Sequence, residues 1–262
     1  MVELDHGDSD RRLRQELATI CAEAASASES ACRGAIERLM ALGRSHGPET
    51  LEGLIVDEAL LEARARLAPV YLSDIRRHEV DTAKRLVNAA GARLDELGEF
   101  AQSSYERVAD LFEHLDFHGC AHFVMVGAGP LPVTLWHVAD QTRVPNLLGL
   151  DVDVEAVAWG RQVLEAIDPA RMRLERQAGE QAHFGEADIV YVANLVSRKA
   201  QVLERIAATA RPGTQVALRD PFSVGLLLAE RGVDVLAKRF RLTGQGTPGL
   251  RFYSKHVFAT VP

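Results

Sequence analysis

The sequence predicts an α/β fold: a Rossmann-like domain over residues 119–262, preceded by an α-helical domain over residues 1–118. Three observations carry this expectation. Apolar side chains recur at three- and four-residue steps before Gly119, whereas short apolar runs alternate with helical segments after it. Only seven of the 20 glycines lie before residue 119, so turns concentrate in the second half. The charge also divides, with 14 Lys+Arg against 23 Asp+Glu up to residue 118 and 16 against 14 beyond it.

In the first half, Leu13, Leu17, Ile20 and Ala24 share one helical face, and Leu54, Leu61 and Ala65 repeat the spacing. Breaks are expected at Gly43–Pro48, at Pro69, and at Gly91 and Gly98. In the second half, HFVMVGAG and NLLGLDVD read as strands, with helical LPVTLWHVAD between them and EAVAWGRQVLEAI after them. MRLERQAG, ADIVYVANLV, TQVALRDP and RFYSKHVFATV supply further strands, the last at or near a sheet edge. Strands alternating with helices at these lengths imply a mainly parallel sheet.

Composition removes several classes of function. A formal charge of −7 argues against a basic nucleic-acid surface. Cys21, Cys32 and Cys120 form no CxxC pair and have no closing His set, so neither a disulfide framework nor a metal site is expected. The N-terminus MVELDHGDSDRR is too polar for a signal peptide, and no run approaches a membrane span. The expectation is a cytoplasmic protein that engages neither membrane nor nucleic acid.

The turn after the first strand, Gly127-Ala128-Gly129-Pro130-Leu131-Pro132, is the most informative stretch. Glycines let a backbone turn sharply and approach a ligand closely. The third glycine of a dinucleotide loop is missing, and Pro130 and Pro132 remove N–H groups that a pyrophosphate would need. A nucleoside without phosphates is left, and S-adenosylmethionine is the first candidate. Asp151 follows Gly129 by 22 residues, the spacing of an acid that accepts from ribose hydroxyls. Asp153 competes for that role, and the plainer alternative is an acid capping the helix near Glu155. Gln177-Ala178 is placed to meet adenine, and Asn194 closes the fourth strand as either a ligand or a turn residue. Arg219 either forks onto the carboxylate of the methionine part or pairs with Asp220 or another acid.

The run Val126-Gly127-Ala128-Gly129-Pro130-Leu131-Pro132-Val133-Thr134 resembles the loop signature of nicotianamine synthases. Asp151-Val152-Asp153 is similar to that family's DxD, Tyr191-Val192-Ala193-Asn194-Leu195-Val196 to its fourth strand, and Leu218-Arg219 to its LR pair. The resemblance covers about residues 50–262. It implies a helical domain that closes over an S-adenosylmethionine domain, with Leu131, Thr134, Val152 and Leu195 among the cofactor contacts. It further implies transfer of the 3-amino-3-carboxypropyl arm to an amine, with methylthioadenosine released. The bacterial opine-metallophore branch, which uses histidine as acceptor, is the nearest in length. Glu58-Ala59-Leu60-Leu61-Glu62-Ala63-Arg64 is similar to the family's EGLLEAH-like helix, which makes Glu62, or Glu58 on the same helical face, the expected general base. A surface pair between Glu62 and Arg66 is the plainer reading. Tyr105 stands where the family has YYxNY, although the paired aromatics before it are absent.

Rival expectations are cyclisation of the cofactor to azetidine-2-carboxylate, ordinary methyl transfer, and a non-catalytic binding module. The expected partners are a small amino-acid acceptor and, in a possible homodimer, a second copy of the chain. His114 with His118 reads as a surface pair rather than a metal site, His137 as packed or surface, Met125 and Trp136 as core. Ser197 and Asp220 form no triad signature, and the first 50 residues carry no motif.

Overall fold

The computed structural model describes residues 6–25, 28–46, 48–55, 58–88, 103, 107–167, 170–246 and 253–262. The chain forms two compact units, one from residues 1–74, 221–229 and 248–254, the other from 75–220, 230–247 and 255–262.

The first unit holds α1 (His6–Ala25), α2 (Glu29–Ser45), α3 (Pro48–Leu54), α4 (Glu58–Glu62) and the start of α5 (Arg64–Asn88). Ser28 caps α2 by accepting from the Ala31 amide at 3.4 Å. The helical spacing buries Leu17, Ile20, Leu39, Leu51 and Leu67 in one core with Val224 and Leu227. Tyr253 donates its hydroxyl to the Met40 carbonyl at 2.7 Å. Pro69 does not break a helix as expected, because it lies inside α5. It sits in the second turn with its ring exposed, so only one backbone bond is lost there, while buried Leu67 anchors the turn.

The second unit is built on a seven-stranded sheet, which continues with β1 (His122–Val126), β2 (Asn146–Asp151), β3 (Met172–Arg176), β4 (Ile189–Val192), β5 (Gln215–Pro221), β6 (Arg241–Gln245) and β7 (Ser254–Thr260). Their order is β3-β2-β1-β4-β5-β7-β6, and β3 through β5 are parallel. Strand β7 runs antiparallel to β5, since Val261 exchanges backbone bonds with Gly213 and Thr214. Strand β6 is the edge that the sequence reading did not contain. Its RLTGQ carries almost no buried side chain, and backbone pairing with β7 holds it.

The central strands β1, β4 and β5 are covered on both faces, which explains their near-continuous apolar runs. Phe123, Met125 and Tyr191 point to one face with α6 (Leu111–His114), α7 (Val133–Gln141) and α8 (Val154–Ile167). Val124, Val126, Val190 and Val192 point to the other with α9 (Lys199–Thr209) and α10 (Val233–Arg239). His137 is buried and stacks on Phe112, as a packed histidine should. Among the described residues, no helix is long and apolar enough to cross a membrane.

Gly149 is where β2 comes closest to its neighbours. A Cβ there would stand 2.4 Å from Leu174 Cδ1 and 2.9 Å from both Ala128 Cβ and Leu135 Cδ1. Gly149→Ala should therefore destabilise the protein by about 1–3 kcal/mol through overpacking. A thermal melt equal to wild type would show that the β2–loop contact yields without strain.

Candidate functional site

Ligands of open parallel sheets bind outside the strand C-termini, where the order reverses. Here that point lies between β1 and β4, and the Gly127–Pro132 loop leaves β1 beside it. Gly127 and Gly129 adopt φ of +80° and +67°, the left-handed region that side chains disfavour. The amides of Gly127 and Ala128 both donate to the Leu150 carbonyl, at 2.8 and 3.1 Å, which lays the loop onto β2. Pro130, Leu131 and Thr134 are buried at the loop's exit, and α7 starts directly after Pro132. With prolines at 130 and 132, and the Val133 amide taken by the Leu131 carbonyl at 2.8 Å, the helix start offers few donors to a phosphate.

The two acids after β2 divide their work. Asp151 accepts from the Gly129 amide at 2.9 Å through one oxygen and from the Asp153 amide at 3.0 Å through the other. Asp153 caps α8 by accepting from Ala156 at 2.9 Å, and Arg76 forks onto both its oxygens at 2.6 and 2.7 Å. The capping role considered for this strand end thus falls to Asp153, leaving Asp151 on the glycine loop. Val152 between them is exposed. Gln177 follows β3 and donates its amide to the Asp151 carbonyl at 3.0 Å, with Ala178 next to it. Beyond β4, the Asn194 side-chain oxygen is buried with no partner among the described residues, and Leu195 is half-buried. A buried acceptor without a donor is costly, so this oxygen is available to a ligand that brings one.

A second carboxyl at the loop was not anticipated. Glu79 on α5 places its carboxyl where a Cβ on Gly129 would be 3.0 Å from Oε2. Burial, and then the charge of Asp151, push this carboxyl up to about 8, while Arg107 and Arg219 pull it the other way. The reason it sits there is local. Ala83 and Leu86, one and two turns along the same helical face, pack on Leu131 and Val133 of the loop. The sequence signal was a lone acid in an apolar stripe, Ile75, Glu79, Ala83, Leu86.

Glu58 and Glu62 occupy the two ends of the five-residue α4 in the other compact unit, both exposed. Ala63 alone separates Glu62, the last residue of α4, from the start of α5 at Arg64. Tyr105 lies outside the described residues. Arg219 is half-buried on β5 and bears on the Tyr191 hydroxyl. Asp220, its suggested partner, instead accepts from the Gly232 and Val233 amides at 2.7 and 3.1 Å and from Lys199 at 3.4 Å. Lys199 is wholly buried and also donates to the Glu230 carbonyl at 2.6 Å. Burial brings its ammonium down to about 8 against the pull of Asp220.

No protein-family model and no curated protein sequence matches the chain. Solved structures do. MtNAS, which is nicotianamine synthase-like, in complex with MTA and tNA covers 100% of both chains with a TM-score of 0.69 and 15% identity. A glutamate-to-glutamine mutant of MtNAS in complex with S-adenosylmethionine covers 99% of both with a TM-score of 0.71 and 15% identity. The fold is Rossmann-like, class I, with a helical N-terminal region. The mitomycin 7-O-methyltransferase MmcR is a more distant match, with a TM-score of 0.50 and 17% identity over 83% of this chain and 76% of that one.

The raised Glu79 carboxyl has a consequence for stability. The folded state binds its proton more tightly than the unfolded chain, so stability falls as pH rises from about 4.5 to about 8. Glu79→Gln removes the ionisation, and should melt within a degree of wild type near pH 5 but at least about 3 °C higher at pH 8.5. Parallel melting curves at the two pH values would show that the carboxyl ionises normally.

Proposed function

We propose that the protein transfers the 3-amino-3-carboxypropyl arm of S-adenosylmethionine to the amine of an amino acid, histidine first, as in opine-metallophore synthesis. The carrying observation is Glu79, a carboxyl held against the glycine loop beside Asp151. An amine acceptor must lose its proton as it is alkylated, and a carboxyl at the loop can take it. The nicotianamine synthase-like loop residues and the full-length likeness to MtNAS support the same reading.

The residues fit the cofactor. The bare backbone of Gly127-Ala128-Gly129 gives close approach, Asp151 would take the ribose, and Gln177-Ala178 would border the adenine. The unpartnered Asn194 oxygen offers an acceptor in the same strand-end cluster. Arg219 would hold the carboxylate of the transferred arm. When bound, S-adenosylmethionine supplies a sulfonium whose γ-carbon accepts the amine nitrogen as the carbon–sulfur bond breaks, the electron pair remaining on the sulfur of methylthioadenosine. Glu79 takes the proton of that amine. Its neutral form at pH 7 is set by burial, and a cation arriving beside it favours the carboxylate. Glu79 thus replaces Glu62 and Glu58 as the proposed base.

Incubation with S-adenosylmethionine, with and without histidine, followed by mass analysis tests this reading. The expected products are methylthioadenosine and a histidine adduct, formed only together. S-adenosylhomocysteine would mean methyl transfer, and acceptor-free turnover to azetidine-2-carboxylate would mean cyclisation. Glu79→Gln should lower kcat at least about 100-fold with cofactor affinity little changed. Glu62→Gln should be close to wild type. In wild type, kcat/KM should climb with pH and be half-maximal near 8, where Glu79 ionises, and the mutant should lose that limb.

A further inference from the structure

Three polar side chains run through the core of the sheet unit in an unbroken line. The Tyr191 hydroxyl lies 3.2 Å from His256 Nε2, and His256 Nδ1 lies 2.8 and 3.0 Å from the two oxygens of Asp110. Tyr191 is 1% exposed and His256 3%. The line crosses β5, because Tyr191 on β4 is in register with Ala217, whose small side chain leaves room to reach β7.

Its direction is fixed by chemistry. A carboxylate only accepts, so Nδ1 carries the imidazole proton and donates to Asp110. Nε2 is then bare and accepts the Tyr191 hydroxyl. The phenol oxygen remains free to accept. Arg219 lies two residues beyond Ala217 on β5, hence on the sheet face that Tyr191 shares and diagonal to it, and its charge bears on the phenol. Burial pushes Tyr191 up and His256 down, so both stay neutral and the direction is kept. His114 and Arg219 add like charge against an imidazolium.

Two local features are arranged around this line. Asp110 is at the N-cap of α6 yet makes no side-chain cap bond, its carboxylate being turned to His256. Gly246 leaves the space that the carboxylate fills, since a Cβ there would stand 2.1 Å from Asp110 Oδ2. Both exceptions serve the same contact. Rigid polar networks of this kind orient the group at their end.

We propose that Asp110, His256 and Tyr191 are positioning residues that fix the Arg219 guanidinium to receive the carboxylate of the cofactor's aminocarboxypropyl arm. The inference rests on the functional reading above, and its test separates the two. Methylthioadenosine lacks that arm, so the relay should matter for S-adenosylmethionine and not for methylthioadenosine. Equilibrium binding of both ligands to Tyr191→Phe should show about a tenfold loss for S-adenosylmethionine and less than a twofold change for methylthioadenosine. Arg219→Ala should show the same selective loss, and the double mutant no further one. His256→Leu should match Tyr191→Phe. His256→Gln should recover most of the affinity, because its amide offers an acceptor and a donor at similar separation. If Tyr191→Phe does not fold, the His256 pair gives the same comparison. Where the wild type turns over normally, an equal loss for both ligands in the variants, or no loss, overturns the relay alone. A wild type that binds neither ligand overturns the functional reading with it.

Discussion

The site depends on the packing of one helical face onto one loop. Ala83 and Leu86 of α5 seal the apolar underside of the glycine loop, Leu131 and Val133, and Glu79 has no course but to lie on Gly129. That contact brings a second carboxyl beside Asp151 in partly desolvated surroundings. Two like charges so placed cannot both ionise cheaply, and the Glu79 carboxyl is pushed up to about 8. Arg107 and Arg219 limit the effect without cancelling it, as Glu79 remains near 8 rather than in the ordinary range. A group poised there changes protonation when a cation or an amine arrives, and this is the chemistry an amine-alkylating site needs.

The loop itself is held by a division of labour among acids. Asp153 is occupied by the helix cap and the Arg76 fork, which pins α8 and α5 together within the sheet unit. Asp151 is thereby left to brace Gly129. Each of its oxygens accepts one backbone bond and retains acceptor capacity for a ligand hydroxyl. The same Arg76 lies one turn before Glu79 on α5, so the fork also sets the register in which Glu79 meets the loop. Capping, ion pairing and placement of the acid are therefore one structural problem.

How far the sequence could be read follows from what each element uses to hold itself. Strands β1, β2, β4 and β5 are legible because burial writes them as apolar runs, β3 because buried Met172 and Leu174 alternate with exposed charges, and the loop because its backbone angles favour glycine. Strand β6 is not, since its stability comes from pairing with β7 rather than from its own side chains. Pro69 misled because a helix anchored by Leu67 tolerates one missing donor at an exposed position. The composition breaks near residue 118, whereas the compact units part at 74 and 75, because the second half of α5 is helical in sequence but packs with the sheet unit. Glu79 was hidden for the same reason. Spacing singled out the pair Glu58 and Glu62, yet the acid facing the loop is one that interrupts an apolar stripe.

Buried polarity is the thread that joins the remaining features. Lys199 with Asp220 and Tyr191 with His256 and Asp110 place charged or hydrogen-bonding groups where aliphatic side chains of similar size would pack without desolvation cost. The first group fixes the turn from β5 into α10 by gathering the Gly232 and Val233 amides onto one carboxylate. The second crosses three strands and ends on the residue before Asp220. Arg219 therefore projects from a strand whose far side is clamped by Lys199 and whose near side is braced by Tyr191. A long, flexible guanidinium gains little affinity from being merely close to a carboxylate, because ordering it on binding removes much of the benefit. Braced by Tyr191 before a ligand arrives, it would lose less freedom, and under the proposed relay the polar core serves the binding site although none of its inner members touches the ligand.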